Sequence, residues 1–383
     1  LAFSPRRGEK VPKADEGARR TAYNPLVLDV LLRGVSARVI RDVTLTFPAS
    51  THTAIAGPPA CGASTLLEVI AGAIRADSGE IVIGSRVVNR LAAAKRPLLH
   101  VSGAIDVPGR WSVGHALVAA VRRRSIDRED RHHEYELALE RWRLSGLTER
   151  RIDTLSSSER TRVQLARIEL LRPAILVADR LLEGANPTER IALADDFHRL
   201  LRVLGTTVIT APSTLDELAL ADRVVVLDEG RVVQQGSPDA VFNAPAGEAS
   251  AMATGDVNVI PVMIRGKRIE SVIGEWEIDP PPFSGSGVAL IRPDAFSVAA
   301  KGEESDLIFG VEEASFRGGV WQTRGVLSGG VMLRVSFPRA TALHKGKLLP
   351  LRYDPRQFRL IAKDVAQPGG IPTDAVPSMR DSR

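Results

Sequence analysis

One short stretch constrains this chain more than any other. Gly57-Pro58-Pro59-Ala60-Cys61-Gly62-Ala63-Ser64-Thr65 stands between an apolar run, Thr53 to Ala56, and a segment of helical spacing, Ser64 to Ala71. Strand, glycine turn and helix in that order form the setting of a phosphate-binding loop. Gly57 and Gly62, with four residues between them, let backbone N–H groups curl toward an anion. The helix starting near Ser64 turns its positive end to the same point, and the Ser64 hydroxyl is placed to hold Mg²⁺. The lysine expected after the second glycine is missing, and Ala63 stands there. Taken alone, the loop reads equally well as a plain strand–turn–helix.

The surroundings narrow the choice. A chain of 383 residues has room for two domains, and 44% apolar with 25% charged residues excludes disorder throughout and a membrane-embedded chain. Aromatics at 4% argue against a nucleic-acid binder built on stacking platforms, although the net charge of +5 permits an anionic partner. No apolar run approaches the roughly 18 to 20 residues of a membrane span, and no signal-peptide core opens the chain. The single Cys61 allows no internal disulfide.

Residues 1–25 carry Arg6, Arg7, Lys10, Lys13, Arg19 and Arg20 without apolar periodicity and read as a basic disordered arm. Strand-like runs follow at Leu26–Val30, Val43–Phe47 and Thr53–Ala56, then a hairpin pattern over Gly79–Val88 turning at Gly84-Ser85. Val113 to Leu147 is helical in composition. Strands at Ala174–Ala178, Thr206–Thr210 and Arg223–Leu227 alternate with helices at Pro187–Leu204 and Thr214–Ala221, the pattern of a mostly parallel sheet covered by helices. After Ala244 short runs between Gly and Pro, at Val288–Ile291, Leu307–Val311, Val326–Val335 and Leu348–Arg352, suggest a small all-β domain.

Four motifs in order carry a resemblance. They are Gly57 to Gly72 (GPPACGASTLLEVIAG); Leu155-Ser156-Ser157-Ser158-Glu159-Arg160 with its following helix; Ala174-Ile175-Leu176-Val177-Ala178-Asp179; and Leu227 to Gly236 (LDEGRVVQQG). They resemble the Walker A loop, signature, Walker B strand and closing hairpin of the ATPase subunits of ATP-binding cassette importers. The likeness extends from Leu26 to about Ala362. It is nearest to the members with a C-terminal TOBE-type regulatory domain that serve sugar, iron(III), polyamine, sulfate or phosphonate uptake.

The resemblance implies an α/β P-loop ATPase domain over 26–245 with a helical subdomain at about 104–165. It also implies a small all-β, oligonucleotide-fold-like domain over 246–365 and a tail at 366–383. It further implies ATP and Mg²⁺ as cofactors, with nucleotide contacts from Gly57, Pro58, Pro59, Ala60, Cys61, Gly62, Ala63, Ser64 and Thr65 and metal contacts from Ser64 and Asp179. The implied partners are transmembrane permease subunits and a second ATPase subunit, at the cytoplasmic face of the inner membrane.

The departures from the family pattern concern the chemistry. Ala63 replaces the phosphate lysine and Ala60 a glycine; Arg180 stands where the catalytic glutamate follows the Walker B aspartate. The switch histidine falls on Ala211, the Q-loop glutamine on Gly103, and the adenine-stacking aromatic near Gly34. In the signature, Ser157 and Ser158 replace glycines and Glu159 a glutamine.

A lysine on the phosphates supplies charge-assisted hydrogen bonds of about 1.5 to 3 kcal/mol each. A general base is worth about 100 to 10,000-fold, and a protonated arginine cannot act as one. The sequence thus reads as a hydrolysis-impaired subunit, a pseudo-ATPase paired with an active chain. The rival readings are hydrolysis through a non-standard arrangement and a soluble regulatory protein that keeps the fold.

Other residues have two readings each. Ser156-x-x-Glu159 is also a capping box. Arg180 either pairs with Asp179 or holds phosphate in place of the lysine. Cys61 is packing or a thiol activated at a helix start. His132 and His133 read as solvated helix residues, and Arg122-Arg123-Arg124 as a solvated helix end or a permease contact.

Overall fold

The computed structural model describes residues 28–103, 105–300 and 302–363. The basic arm, the tail and the first residues of the run at Leu26 lie outside them. The strand expected at Leu26–Val30 starts at Val30 and runs on to Ala37 as β1 (Val30–Ala37). Its buried Val30, Leu32, Val35 and Ala37 change spacing midway, because Gly34 at φ 58° shifts the register between Leu32 and Val35. That break conceals the strand from a strict alternation test.

β1 pairs with β2 (Ile40–Phe47) through a tight turn at Arg38-Val39. β3 (His52–Ala56), α1 (Ala63–Ala71), β4 (Ser78–Ile83) and β5 (Arg86–Val87) follow, and one antiparallel sheet takes the order β2-β1-β4-β5. β6 (Leu99–Ser102) precedes a helical segment of α2 (Val113–Val121), α3 (Arg128–Arg141) and α4 (Ser157–Leu171). Then come β7 (Ile175–Asp179), α5 (Pro187–Leu204), β8 (Thr207–Ala211), α6 (Leu215–Ala219), β9 (Arg223–Asp228) and β10 (Arg231–Gly236).

The central sheet runs β10-β9-β3-β8-β7-β6, parallel except at β10. β7 shows why a parallel sheet must be covered on both faces. Ile175 and Val177 pack toward α1, while Leu176 and Ala178 pack in the core shared with α4 and α5. α5 matches its expected span, with Asn186 as N-cap, Pro187 at the first turn and Gly205 closing it at φ 65°. α4 carries the full capping box: Ser156 accepts from the Glu159 N–H, and the Glu159 carboxylate accepts from the Ser156 N–H at 2.7 Å. Those bonds hold the Glu159 carboxyl below its ordinary range.

α7 (Pro238–Asn243) and α8 (Glu248–Ala253) pack back on β9 and β10. The remaining strands are β11 (Asn258–Arg265), β12 (Arg268–Ser271), β13 (Gly274–Glu277), β14 (Gly285–Ile291), β15 (Phe296–Val298), β16 (Leu307–Arg317), β17 (Val320–Leu327), β18 (Met332–Pro338), β19 (Leu348–Tyr353) and β20 (Arg359–Ala362). They form two antiparallel sheets, β13-β12-β11-β14-β20 and β15-β19-β16-β17-β18, around one core that includes Phe309 and Phe337. The expected single run Val326–Val335 is two strands. Between them the Leu327 N–H reaches the Val331 carbonyl at 2.9 Å, and Gly330 at φ 80° turns the chain back. Arg292, just past β14, joins this part to the first. It donates to the carbonyls of Ala251, Asp256 and Phe242 and to the Thr254 hydroxyl, and lies 4.3 Å from the centre of the Phe242 ring.

A polar group is buried behind β8. His52 donates to or accepts from Thr210 Oγ1 at 2.9 Å, its Nδ1 has no hydrogen-bond partner, and the His198 ring lies 5.7 Å away. Burial first, and the neighbouring His198 second, lower the His52 pKa to about 4 from 6.5.

Two expectations follow. Removing the cap by Ser156→Ala costs about 1 kcal/mol in denaturant titration. For His52, the unfolded chain takes up a proton near pH 6.5 and the folded chain only near 4. Its contribution is therefore intact above pH 6.5 and is lost as pH falls toward 4, a total of roughly 3 kcal/mol. Denaturant titrations at pH 7 and pH 4.5 measure this loss, and His52→Gln makes the pH slope shallower by the corresponding amount.

Candidate functional site

The loop between β3 and α1 is shaped by backbone crowding. A Cβ on Gly57 would lie 2.1 Å from the Leu227 carbonyl oxygen, and one on Gly62 would lie 2.8 Å from Ile40 Cδ1. Cys61 closes the turn with its N–H on the Pro58 carbonyl at 3.0 Å, and its own carbonyl accepts from the Gly230 N–H at 3.0 Å. Its side chain is buried, and burial pushes the thiol pKa up, so Cys61 is a packing residue and not an activated thiol. Ala60 sits at φ 65°, a region where an alanine costs about 1 to 2 kcal/mol and a glycine nothing. Gly62 is the N-cap of α1, with no side chain capping the first turn. The N–H groups of that turn and the dipole of α1 face the cleft.

That cleft has a volume of about 650 Å³ and is lined by the whole loop Gly57–Thr65, by Val39, by Arg180, by Ala211–Leu215, and by Leu218 and Ala253. Arg180 is the one charged side chain among the described residues on its wall. Asp179 ends β7 directly beside Ala211 of β8, and its Oδ1 is buried without a hydrogen-bond partner. Arg180 does not pair with Asp179, contrary to one sequence expectation. Its backbone turns to φ 47°, its N–H bonds the Ala211 carbonyl at 2.9 Å, and its guanidinium lies 3.8 Å from Glu183. The left-handed turn aims the side chain away from the strand direction that Asp179 continues.

Gly103 follows β6 and faces the same turn; a Cβ there would lie 3.0 Å from the Arg180 carbonyl oxygen. It is not on the wall of the cleft. Gly34 is also away from the cleft, in the middle of β1, and the hairpin tip Val39 takes the place nearest the loop. The sequence reading put the stacking position near Gly34 and missed Val39 at the hairpin tip.

His100 was missed as well. It lies two residues before Ser102, whose register partner is Asp179. Its Nε2 is buried without a partner, and burial lowers its pKa against the pull of the Asp179, Glu68 and Asp106 carboxylates. A histidine within a short strand carries no signal of its own.

The segment Leu155 to Glu159 lies apart from the cleft. Besides the capping box, Ser158 donates to Glu189 at 3.1 Å and Arg162 donates to both Glu189 oxygens at 2.5 Å, tying the start of α4 to the start of α5. The same ties hold the Glu189 carboxyl below its usual range. Of the arginine run, Arg124 is largely buried and paired with Glu134, so only part of it is a solvated helix end. His132 is exposed beside Glu136.

A comparison with known families finds the ABC transporter family over residues 40–182. The Fe(3+) ions import ATP-binding protein FbpC of Streptomyces avermitilis is 30% identical over 262 residues, covering 68% of this chain and 76% of that protein. The sn-glycerol-3-phosphate import ATP-binding protein UgpC 3 of Agrobacterium fabrum is 26% identical, covering 85% of this chain and 94% of its own length. In fold, the chain is similar to cbiO1 of Clostridium perfringens, part of the ABC transporter complex cbiONQ. The TM-score is 0.50 at 22% identity, over 56% of this chain and 90% of that one. Loop, cleft, sheet order and relatives agree, and the chain belongs to the ABC transporter family, among the ATP-binding subunits of its importers.

Proposed function

We propose that this chain is a hydrolysis-impaired subunit of an ABC importer. It docks on transmembrane permease subunits at the cytoplasmic face of the membrane and pairs with a second ATPase subunit that hydrolyses ATP. The observation that carries this reading is the wall of the cleft. Among the described residues it has no carboxylate and no imidazole, and Arg180 occupies the position after Asp179. In-line attack on a γ-phosphate needs a group that accepts a proton from water or holds the water in place. A guanidinium accepts none.

The family binds ATP with Mg²⁺, and the two components fit this cleft unequally. Phosphates fit: the loop supplies backbone N–H groups and the N-terminus of α1. Mg²⁺ does not. Ser64 and Asp179 retain oxygens, but Gly103 and Ala211 bring none, and a fixed positive charge lines the same wall. Our reading gives Gly57–Thr65 the phosphate contacts. With uncharged Ala63 in the lysine's place and no aromatic near the base among the described residues lining the cleft, ATP affinity falls by orders of magnitude at about 1.4 kcal/mol per tenfold. Ser157, Ser158 and Glu159 weaken what the start of α4 offers a nucleotide on the opposite subunit. The two sheets beyond Asn258 fit a TOBE-type regulatory domain, and the relatives' names point to uptake of a small solute.

Three outcomes are expected. Phosphate release by the purified chain with ATP and Mg²⁺ stays at the buffer blank, and a turnover well above it that Asp179→Asn abolishes refutes the reading. The single change Arg180→Glu does not restore turnover, because a base with no positioned phosphate has nothing to act on. Expressed with the genes beside its own, the chain co-purifies from detergent-solubilised membranes with permease subunits and a second ATPase; recovery of the chain alone favours a free regulatory protein.

A further inference from the structure

We propose that the cleft binds a phosphate-bearing anion in its metal-free form, with the Arg180 guanidinium supplying the positive charge that Mg²⁺ and a loop lysine supply in an active ATPase. The proposal rests on reading this cleft as the nucleotide-type site and names the form of ligand it takes. The fixed charge on the wall is cationic, and the N-terminus of α1 and the loop N–H groups add to it with the same sign. Such a wall attracts an anion most when no metal has already neutralised it.

Three features suit Arg180 to the task. Its backbone is fixed at φ 47° by the bond to the Ala211 carbonyl, so the side chain leaves from a set point on the rim. The only carboxylate within 4 Å of it among the described residues, Glu183, is 3.8 Å away with both side chains more than half exposed, an attachment too weak to compete with a phosphate. A planar guanidinium also matches two phosphate oxygens at once.

The metal's surroundings bring it little. Gly103 offers no side-chain oxygen, and a Cβ there would lie 3.0 Å from the Arg180 carbonyl oxygen, so a side chain fits only if the turn gives by a few tenths of an ångström. A dication at Ser64 would share the cleft with the guanidinium. Mg²⁺ and Arg180 thus compete for the same phosphate charge.

Isothermal titration calorimetry on the full chain tests this, using ATP in EDTA and ATP in excess Mg²⁺. Binding at least as tight in EDTA as in Mg²⁺ is expected, although weaker than micromolar. Arg180→Ala is expected to weaken binding in EDTA by roughly tenfold or more, Arg180→Lys to keep part of it, and Glu183→Gln to tighten it by removing the negative charge nearest the guanidinium. Thermal melts of each variant check that it is folded.

Binding that requires Mg²⁺, an Arg180→Ala variant that binds like the parent, or no binding of ATP in either buffer overturns the proposal. The Glu183→Gln arm still decides the matter should Arg180→Ala fail to fold: unchanged affinity there counts against it. Each of these failures leaves co-purification with permease subunits untouched, so the subunit reading stands or falls separately.

Discussion

Everything around the cleft depends on three backbone segments crossing at van der Waals distance. The loop at Gly62, the hairpin tip at Val39 and the turn at Gly230 meet closely: a Cβ on Gly62 would lie 3.3 Å from Val39 Cγ2 and 3.7 Å from Gly230 Cα. A Cβ on Gly230 would lie 1.7 Å from the Val39 carbonyl oxygen, and the Gly230 peptide bonds Cys61 on one side and Arg41 on the other. Backbone hydrogen bonds and glycine sterics therefore hold the loop, independently of any phosphate. The loop therefore keeps its shape with Ala63, Gly103, Arg180 and Ala211 at the positions around it. Catalytic side chains project into the cleft, so their loss leaves the crossing intact.

Much of this fold was legible in the sequence because its central strands are buried on both faces. Ile175–Ala178 and Val224–Leu227 are continuous apolar runs, and the caps Asn186-Pro187 and Gly205 bracket α5 unambiguously. The β1 strand was displaced in the reading because Arg33-Gly34 interrupts its alternation. β11 was passed over because Pro261 lies inside it. There the proline sits at an exposed position of a strand whose inward side chains are Ile260, Val262 and Ile264. Such exceptions are set by which face a residue takes, and one-dimensional spacing does not record it.

The cleft was legible as a list of missing groups and illegible as an arrangement. Counting placed Arg180 beside Asp179 and suggested an ion pair. The pairing fails because one left-handed residue, at φ 47°, redirects the side chain toward Glu183. Val39 came to light only with the fold, since it reaches the cleft from the turn between β1 and β2, and His100 is off the cleft wall, on the strand whose Ser102 pairs with Asp179. Gly103 likewise gains meaning from the Arg180 carbonyl against it. The glycine and the arginine look independent in the sequence, and in the fold they face each other across one turn.

That coupling bears on how an ATPase site decays. The groups that hold γ-phosphate, metal and water act as a unit, so once one is lost the others contribute little and their exchange costs little. Electrostatics adds a direction to this drift. A cleft that still gathers backbone N–H groups and a helix N-terminus keeps a positive potential whether or not it hydrolyses anything. In such a potential a carboxylate is stabilised only while a metal or an attacked phosphate makes use of it. Arg180 instead adds to the potential, and its backbone geometry ties the two turns after β7 and β8 together through the Ala211 carbonyl. The physical consequence is a cleft whose one charged wall residue among those described is cationic and whose backbone is tied to the end of β8 by a hydrogen bond.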